Sequence, residues 1–182
     1  ETRFLPANDP NGTWTVFLPR EANHEYSIDH WGDDFVVRTN WQAKNFRVMR
    51  VPVGATDKSR WSDIVPHRDD VFVEDVQAFR DHLVVSKRRA GLLELEIIPR
   101  SGKPHTIDFG EPAYLATPTD NREYATHVLR YSYTSLTTPK SVFDYDMNTH
   151  KKTLLDEETV LGGFDKSNYR CERVWAPAAD GA

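Results

Sequence analysis

Apolar and polar residues alternate in short runs along most of the chain. Leu93, Leu95 and Ile97 alternate with Glu94 and Glu96, and Leu129, Tyr131 and Tyr133 alternate with Arg130, Ser132 and Thr134. Successive side chains of an extended strand point to opposite faces, so this period of two predicts strands. No stretch sustains a helical period. The runs are rich in Val, Ile, Phe and Tyr, and turn formers stand between them: Trp31-Gly32-Asp33-Asp34, Arg100-Ser101-Gly102-Lys103-Pro104 and Asp120-Asn121.

The runs recur. Phe35 to Asn40 (FVVRTN) is echoed by Leu83 to Arg88 (LVVSKR) and Leu129 to Thr134 (LRYSYT), 48 and 46 residues apart. A second series follows each at a similar offset: FRVMRVP from Phe46, LLELEIIP from Leu92 and SVFDYDM from Ser141. A third closes each unit: Thr15 to Pro19, Ser62 to Pro66, Thr106 to Gly110 and Thr153 to Glu157. Between the third and first series lie EYSIDHW (Glu25 to Trp31), DVFVEDVQAF (Asp70 to Phe79) and PAYLATP (Pro112 to Pro118), each a further strand. A four-stranded repeat of roughly 40 to 50 residues is the sequence signature of a β-propeller blade. The expected fold is therefore all-β, with antiparallel four-stranded blades. Residues 2–21 supply the outer strands of one blade, and 22–67, 68–111 and 112–158 supply three complete ones. Closed rings take about four to eight blades, so about three and a half form only part of a ring, with open sheet edges at both ends.

Composition narrows the partners. The 182 residues carry 23 Lys and Arg against 28 Asp and Glu, a net charge of -5, with no basic block of the kind that tracks nucleic acid or an anionic membrane. The longest basic run, Lys87-Arg88-Arg89, reads as a solvated turn after a strand. A mean hydropathy of -0.64 is low for a globule, but 12% aromatic residues and regular apolar runs argue against disorder. The single cysteine, Cys171, excludes an internal disulfide and fits a reducing compartment, so a cytoplasmic location is expected. No signal peptide and no apolar run of membrane-spanning length is visible. Asn11-Gly12-Thr13 matches the glycosylation sequon, which matters only in a secreted eukaryotic protein.

Candidate chemistry is sparse. Arg130 to Pro139 (RYSYTSLTTP) gathers five Ser and Thr hydroxyls and two Tyr. It lacks the strained G-x-S-x-G turn and positioned base of a serine nucleophile, and its alternation makes it a strand with a proline-marked exit. Asp144 to Asn148 (DYDMN) opens like a calcium loop, yet Thr149 stands where glycine is needed and Leu155 where the bidentate Glu should fall. His24, Glu25 and His30 lack the helical H-E-x-x-H spacing of zinc peptidases. Trp14, Trp31, Trp41, Trp61 and Trp175 read as packing residues at blade edges and junctions, and Lys44, Arg47 and Arg50 as an exposed strand edge. No catalytic residue, metal or cofactor site is assigned, and substrate-binding residues stay unassigned. First strands of blades usually lie innermost, so parts of 25–30, 71–79 and 113–118 are candidates for a channel lining.

Four stretches carry a resemblance: His24 to His30 (HEYSIDH), Arg38 to Met49 (RTNWQAKNFRVM), Arg130 to Met147 and Val160 to Gly181 (VLGGFDKSNYRCERVWAPAADG). Through them the chain resembles, over essentially its whole length, the propeller domain of the prolyl oligopeptidase family of serine peptidases, in its oligopeptidase B (protease II) branch. The resemblance implies the later part of a seven-bladed propeller, residues 1–176, with 159–176 as an exit segment. Residues 177–182 would begin the crossing into an α/β-hydrolase domain, with Asp180-Gly181 as a hairpin turn. It further implies that the catalytic triad and the acidic residues selecting basic side chains belong to that other domain. The propeller would cover the active site of an enzyme cleaving short peptides after Arg or Lys, limit substrate size and dock on the hydrolase domain, while being inactive alone. Expected partners are that domain and short basic peptides, with self-association through open blade edges. A second reading is a free-standing propeller-like module that binds a protein or peptide at its open faces.

Overall fold

The computed structural model describes residues 1–179, so Asp180 and Gly181, the expected hairpin turn, lie outside the described residues. A two-stranded sheet comes first, β1 (Arg3–Phe4) with β2 (Thr15–Val16). Three four-stranded sheets follow. The first holds β3 (Tyr26–Trp31), β4 (Asp34–Thr39), β5 (Arg47–Pro52) and β6 (Ser62–Val65). The second holds β7 (Val71–Ala78), β8 (His82–Arg89), β9 (Leu92–Pro99) and β10 (His105–Thr106). The third holds β11 (Tyr114–Pro118), β12 (Val128–Ser135), β13 (Ser141–Asp146) and β14 (Lys152–Glu157). In each, spatial order equals chain order and every neighbouring pair is antiparallel, so each sheet is a meander. Among the described residues, helical structure is limited to two 3-10 turns, Lys58–Arg60 and Lys166–Asn168. Each opens on the same triplet, Asp-Lys-Ser, in which the aspartate side chain accepts the serine N–H and so satisfies a donor the short turn leaves free.

The sheets stack face to face, and the core divides into three clusters at their junctions. Phe17, Leu18, Phe35, Val37, Met49, Val51 and Trp61 join the small sheet to the first four-stranded one. Trp31, Val36, Phe46 and Val48 meet Val73, Val76, Ala78, Leu83 and Val85 of the second. Phe79, Val84, Leu93, Leu95 and Ile97 meet Ala116, Leu129, Tyr131, Tyr133 and Tyr145 of the third. Strand alternation assigns the faces: Val36 serves one junction while Phe35 and Val37 serve the other, and Val84 opposes Leu83 and Val85. A strand between two blades must be apolar on both faces, which is why His82–Arg89 is buried over six consecutive residues. The third sheet differs. Leu129, Tyr131 and Tyr133 are buried as their alternation predicts, whereas the opposite face carries the Arg130–Asp144 ion pair at 2.8 Å, with Ser132 and Thr134 beside it.

Candidate functional site

The first strands of the three large sheets converge. β3 packs on β7, β11 packs on β9, and a cleft of about 470 Å³ is lined by Asp29 of β3, Glu74 to Gln77 of β7, Leu115 and Thr117 to Asp120 along and just after β11, with Ser86, Arg88 and Leu93 of β8 and β9. The ranges 25–30, 71–79 and 113–118 thus contribute to one concavity. A register shift between Val73 and Asp75 accounts for its acidity. With a bulge there, Val73 and Val76 both reach the core although three positions separate them, and Glu74 and Asp75 are both turned away from it. The broken alternation of Val71, Val73, Val76 and Ala78 is the sequence signal for this bulge. Asp29 is fixed by accepting the Ala78 N–H at 2.9 Å, bridging two blades. Desolvation raises the Asp75 carboxyl against the opposing pull of the Val76 N–H and Arg38, and Asp29 adds to the rise. Arg88 donates to Glu74 at 2.6 Å.

A second constellation lies where the chain leaves the third sheet. Glu111 sits between β10 and β11, and its carboxylate accepts from Ser135 Oγ at 2.6 Å, Thr137 Oγ1 at 2.8 Å and Thr138 Oγ1 at 2.5 Å. Lys166 Nζ completes the set at 2.8 Å. Burial alone would raise this carboxyl. Donation from Lys166, Ser135, Thr138 and Thr137 outweighs it and brings the pKa down to about 2. The hydroxyl-rich end of RYSYTSLTTP is therefore a cup for an anion belonging to the chain itself. Sequence reading missed Glu111 because 24 to 27 positions separate it from its hydroxyl partners.

One arrangement imitates a nucleophilic triad. A ring nitrogen of His24 lies 2.8 Å from Thr39 Oγ1, and Glu21 stands 3.5 Å from the other. Thr39 is wholly buried and its oxygen also accepts the Trp41 N–H at 3.0 Å, so no substrate carbonyl can reach it. The group instead ties the end of β4 to the preceding connection. His30 lies apart, against Phe35.

The remaining candidates resolve into structure. Asp146 Oδ1 accepts the N–H groups of Asn148 and Thr149 at 2.9 Å, closing the turn after β13, and Asp144 pairs with Arg130. Among the described residues, no group of three or more His, Cys, Asp or Glu could hold a metal ion. Trp31 and Trp61 are buried at blade junctions, Trp41 meets Trp61 edge-on at 5.7 Å, and Trp14 and Trp175 are exposed. Lys44 and Arg50 are exposed, and Arg47 is held by Asp63 at 2.7 Å. The basic run is not a solvated turn: Lys87 to Arg89 complete β8, and Lys87 is buried against Glu96 at 3.0 Å. Among the described residues, no helix is long and apolar enough to cross a membrane.

Meandering sheets that stack around a shared cleft at their first strands define part of a β-propeller. The model of the prolyl oligopeptidase N-terminal β-propeller domain matches residues 1–158, and the chain belongs to that family. It is 42% identical over 182 residues to a dipeptidyl aminopeptidase BI from Pseudoxanthomonas mexicana, covering 100% of this chain and 25% of the relative. Protease 2 of Moraxella lacunata is 31% identical over 181 residues, covering 100% of this chain and 26% of that protein. The solved oligopeptidase B from Leishmania major superposes with a TM-score of 0.83 at 29% identity, over 95% of this chain and 26% of that one. The chain thus spans about a quarter of the length of the relatives it matches.

Proposed function

We propose that this chain is the non-catalytic propeller portion of an oligopeptidase B-like serine peptidase, where it covers the active site of an α/β-hydrolase domain and admits only short peptides. The observation that carries the reading is the full-length likeness to peptidases about four times longer. The physical logic is steric. Rigid sheets packed around a narrow axis leave an opening that a short peptide can enter and a long chain cannot, so selection by size precedes any primary specificity pocket. The cleft wall, with Asp29, Glu74, Asp75 and Asp120 against a single arginine, suits the passage of basic peptides toward a primary pocket in the hydrolase domain, where cleavage after Arg or Lys would be selected. Residues 1–176 serve as propeller and exit segment, and 177–182 begin the crossing. The single cysteine accords with a cytoplasmic setting.

The test is an assay of the 182-residue chain and of a full-length polypeptide that joins it to the remaining blades and hydrolase domain of a family member. Substrates are a blocked Arg-containing fluorogenic peptide, a free-amine dipeptide conjugate of the same residue, and an unfolded protein. The isolated chain should show no turnover, and the joined enzyme should cut the blocked short peptide and spare the long chain. Release of dipeptides alone would replace the endopeptidase reading. Cleavage of the unfolded protein as fast as the short peptide would overturn gating by size.

A further inference from the structure

Residues 159–170 are all exposed, and Thr159, Val160 and Phe164 lie beside the turn from Thr134 to Lys140 at the end of the third sheet. Among the described residues, few hydrogen bonds tie this strap to the sheets. Lys166 donates to Glu111 at 2.8 Å and to Thr138 Oγ1 at 2.5 Å, and Cys171 Sγ lies 3.7 Å from the Ala113 carbonyl. The anchoring side is built differently from the strap. Glu111 is largely covered, its side chain 13% exposed against 56% for Lys166. Its hydroxyl donors are preset: Ser135 Oγ also accepts the Thr137 N–H at 3.0 Å, and the Ser135 N–H bonds to the Thr138 carbonyl at 3.1 Å. When Lys166 leaves, Ser135, Thr137 and Thr138 still satisfy the carboxylate. Release therefore exchanges one half-exposed ion pair for water without stranding a buried charge.

We propose that the Glu111 cup and Lys166 form a releasable latch that seats the strap on the last blade. The Asp165 cap assists it, because Asp165 Oδ1 accepts from Ser167 N at 2.9 Å and Oγ at 2.7 Å and so fixes the turn that presents Lys166. Beyond Cys171 the strap approaches the second sheet, with the Arg173 guanidinium beside the Gly91 turn. Opening the latch frees the strap from the third sheet and shifts the point at which the chain departs. The consequence for a following catalytic domain rests on the function proposed above, while the latch itself is testable without it.

Cys171 is the only cysteine and lies five residues past Lys166, so its rate of labelling by a thiol reagent in the intact chain reports strap opening. Lys166→Gln should speed labelling about 1.5- to fivefold, the range an exposed ion pair can supply, and Lys166→Arg should restore the slow rate. Molar salt should accelerate the wild type and leave Lys166→Gln unchanged. Glu111→Gln should behave like Lys166→Gln; if it fails to fold, Lys166→Gln, altered at an exposed position, still decides the matter. Labelling that ignores both Lys166→Gln and salt, or that rises only in step with global unfolding followed by circular dichroism, would overturn the latch. Loss or survival of peptidase activity has no bearing on this readout.

Discussion

Truncating Leu95 to alanine tests the stacking of blades directly. Leu95 is fully buried on β9, in the cluster that joins the second sheet to Ala116, Leu129 and Tyr131 of the third. The substitution removes three carbons, about 2.4 kcal/mol at ~0.8 kcal/mol per buried methylene. An unfilled remainder of about 40 Å³ would add about 1 kcal/mol at ~24 cal/mol per Å³. The expected loss is therefore about 3 kcal/mol, within the measured span for buried leucines, and a fall of about 6–12 °C in melting temperature for a chain of this size. Leu115 is the matched control. It belongs to β11, which packs on β9, but it is 53% exposed, whereas its neighbour Ala116 is fully buried. Leu115→Ala should cost less than about 1 kcal/mol.

Urea and thermal unfolding should be followed by far-ultraviolet circular dichroism and by tryptophan fluorescence. Trp31 and Trp61 report the other two junctions, and the Leu95 cluster contains no tryptophan. If blades unfold as coupled neighbours, Leu95→Ala shifts both signals together. If the third blade detaches first, the dichroism transition moves ahead of the fluorescence. Equal losses at Leu95 and Leu115, or a loss below about 1 kcal/mol at Leu95, would refute the account of the core as face-to-face burial between sheets.

Stability should also fall on mild acidification. Burial lowers the His82 and His105 pKa values below their ordinary 6.5; His150 and His82 reinforce the drop at His105, while Asp81, Asn148 and Asp146 oppose it at His82 and His127 adds to it. Both rings favour the neutral form when folded, so their stability is complete above pH 6.5 and declines as pH drops through the lowered folded values. The urea midpoint should decrease from pH 7.5 to pH 5, and a flat profile would contradict this. Arg38 lies 3.7 Å from the Phe46 ring centroid, and its Nε donates to the Val73 carbonyl at 2.9 Å across a blade junction. Arg38→Lys cannot keep both contacts and should cost about 1–2 kcal/mol in urea titration; an unchanged midpoint would show that they are dispensable. Gly32→Ala should cost at least about 1 kcal/mol, because φ is +67° and a Cβ would lie 2.7 Å from the Arg100 guanidinium that stacks on Trp31. A neutral thermal melt would count against that packing.

The repeat was legible because it is written locally. Period-two alternation and turn formers need only neighbours along the chain, and Leu129, Tyr131 and Tyr133 face the core as that periodicity requires. The two clusters of chemistry were less so, for different reasons. The β7 bulge leaves a trace, an extra residue between Val73 and Val76, but alternation alone does not say that Glu74 and Asp75 turn toward Asp29 of another blade. Glu111 leaves no trace, since its partners depend on how the connection after β10 passes the turn after β12. Lys87 departs from its expected solvent-facing position for a related reason. Charge suggested solvent, whereas β8 lies between two blades and Glu96, opposite Val85 on the adjacent strand, supplies the ion that makes a buried lysine tolerable.

The stretch from Arg130 to Pro139 joins these two kinds of information. Its first half obeys the strand, sending alternate tyrosines into the junction with the second blade while Arg130 and Ser132 stay outside. Its second half breaks the alternation, because Thr137 and Thr138 are both buried although adjacent. Two consecutive buried hydroxyls cannot belong to one face of a regular strand, and burying them is favourable only if an acceptor awaits. Glu111 is that acceptor, taking a hydrogen bond from each hydroxyl. The same geometry that ends the strand thus creates the anchoring point for the segment leaving the blade. Excess hydroxyls at a strand exit are accordingly a reason to look for a distant carboxylate before looking for a nucleophile.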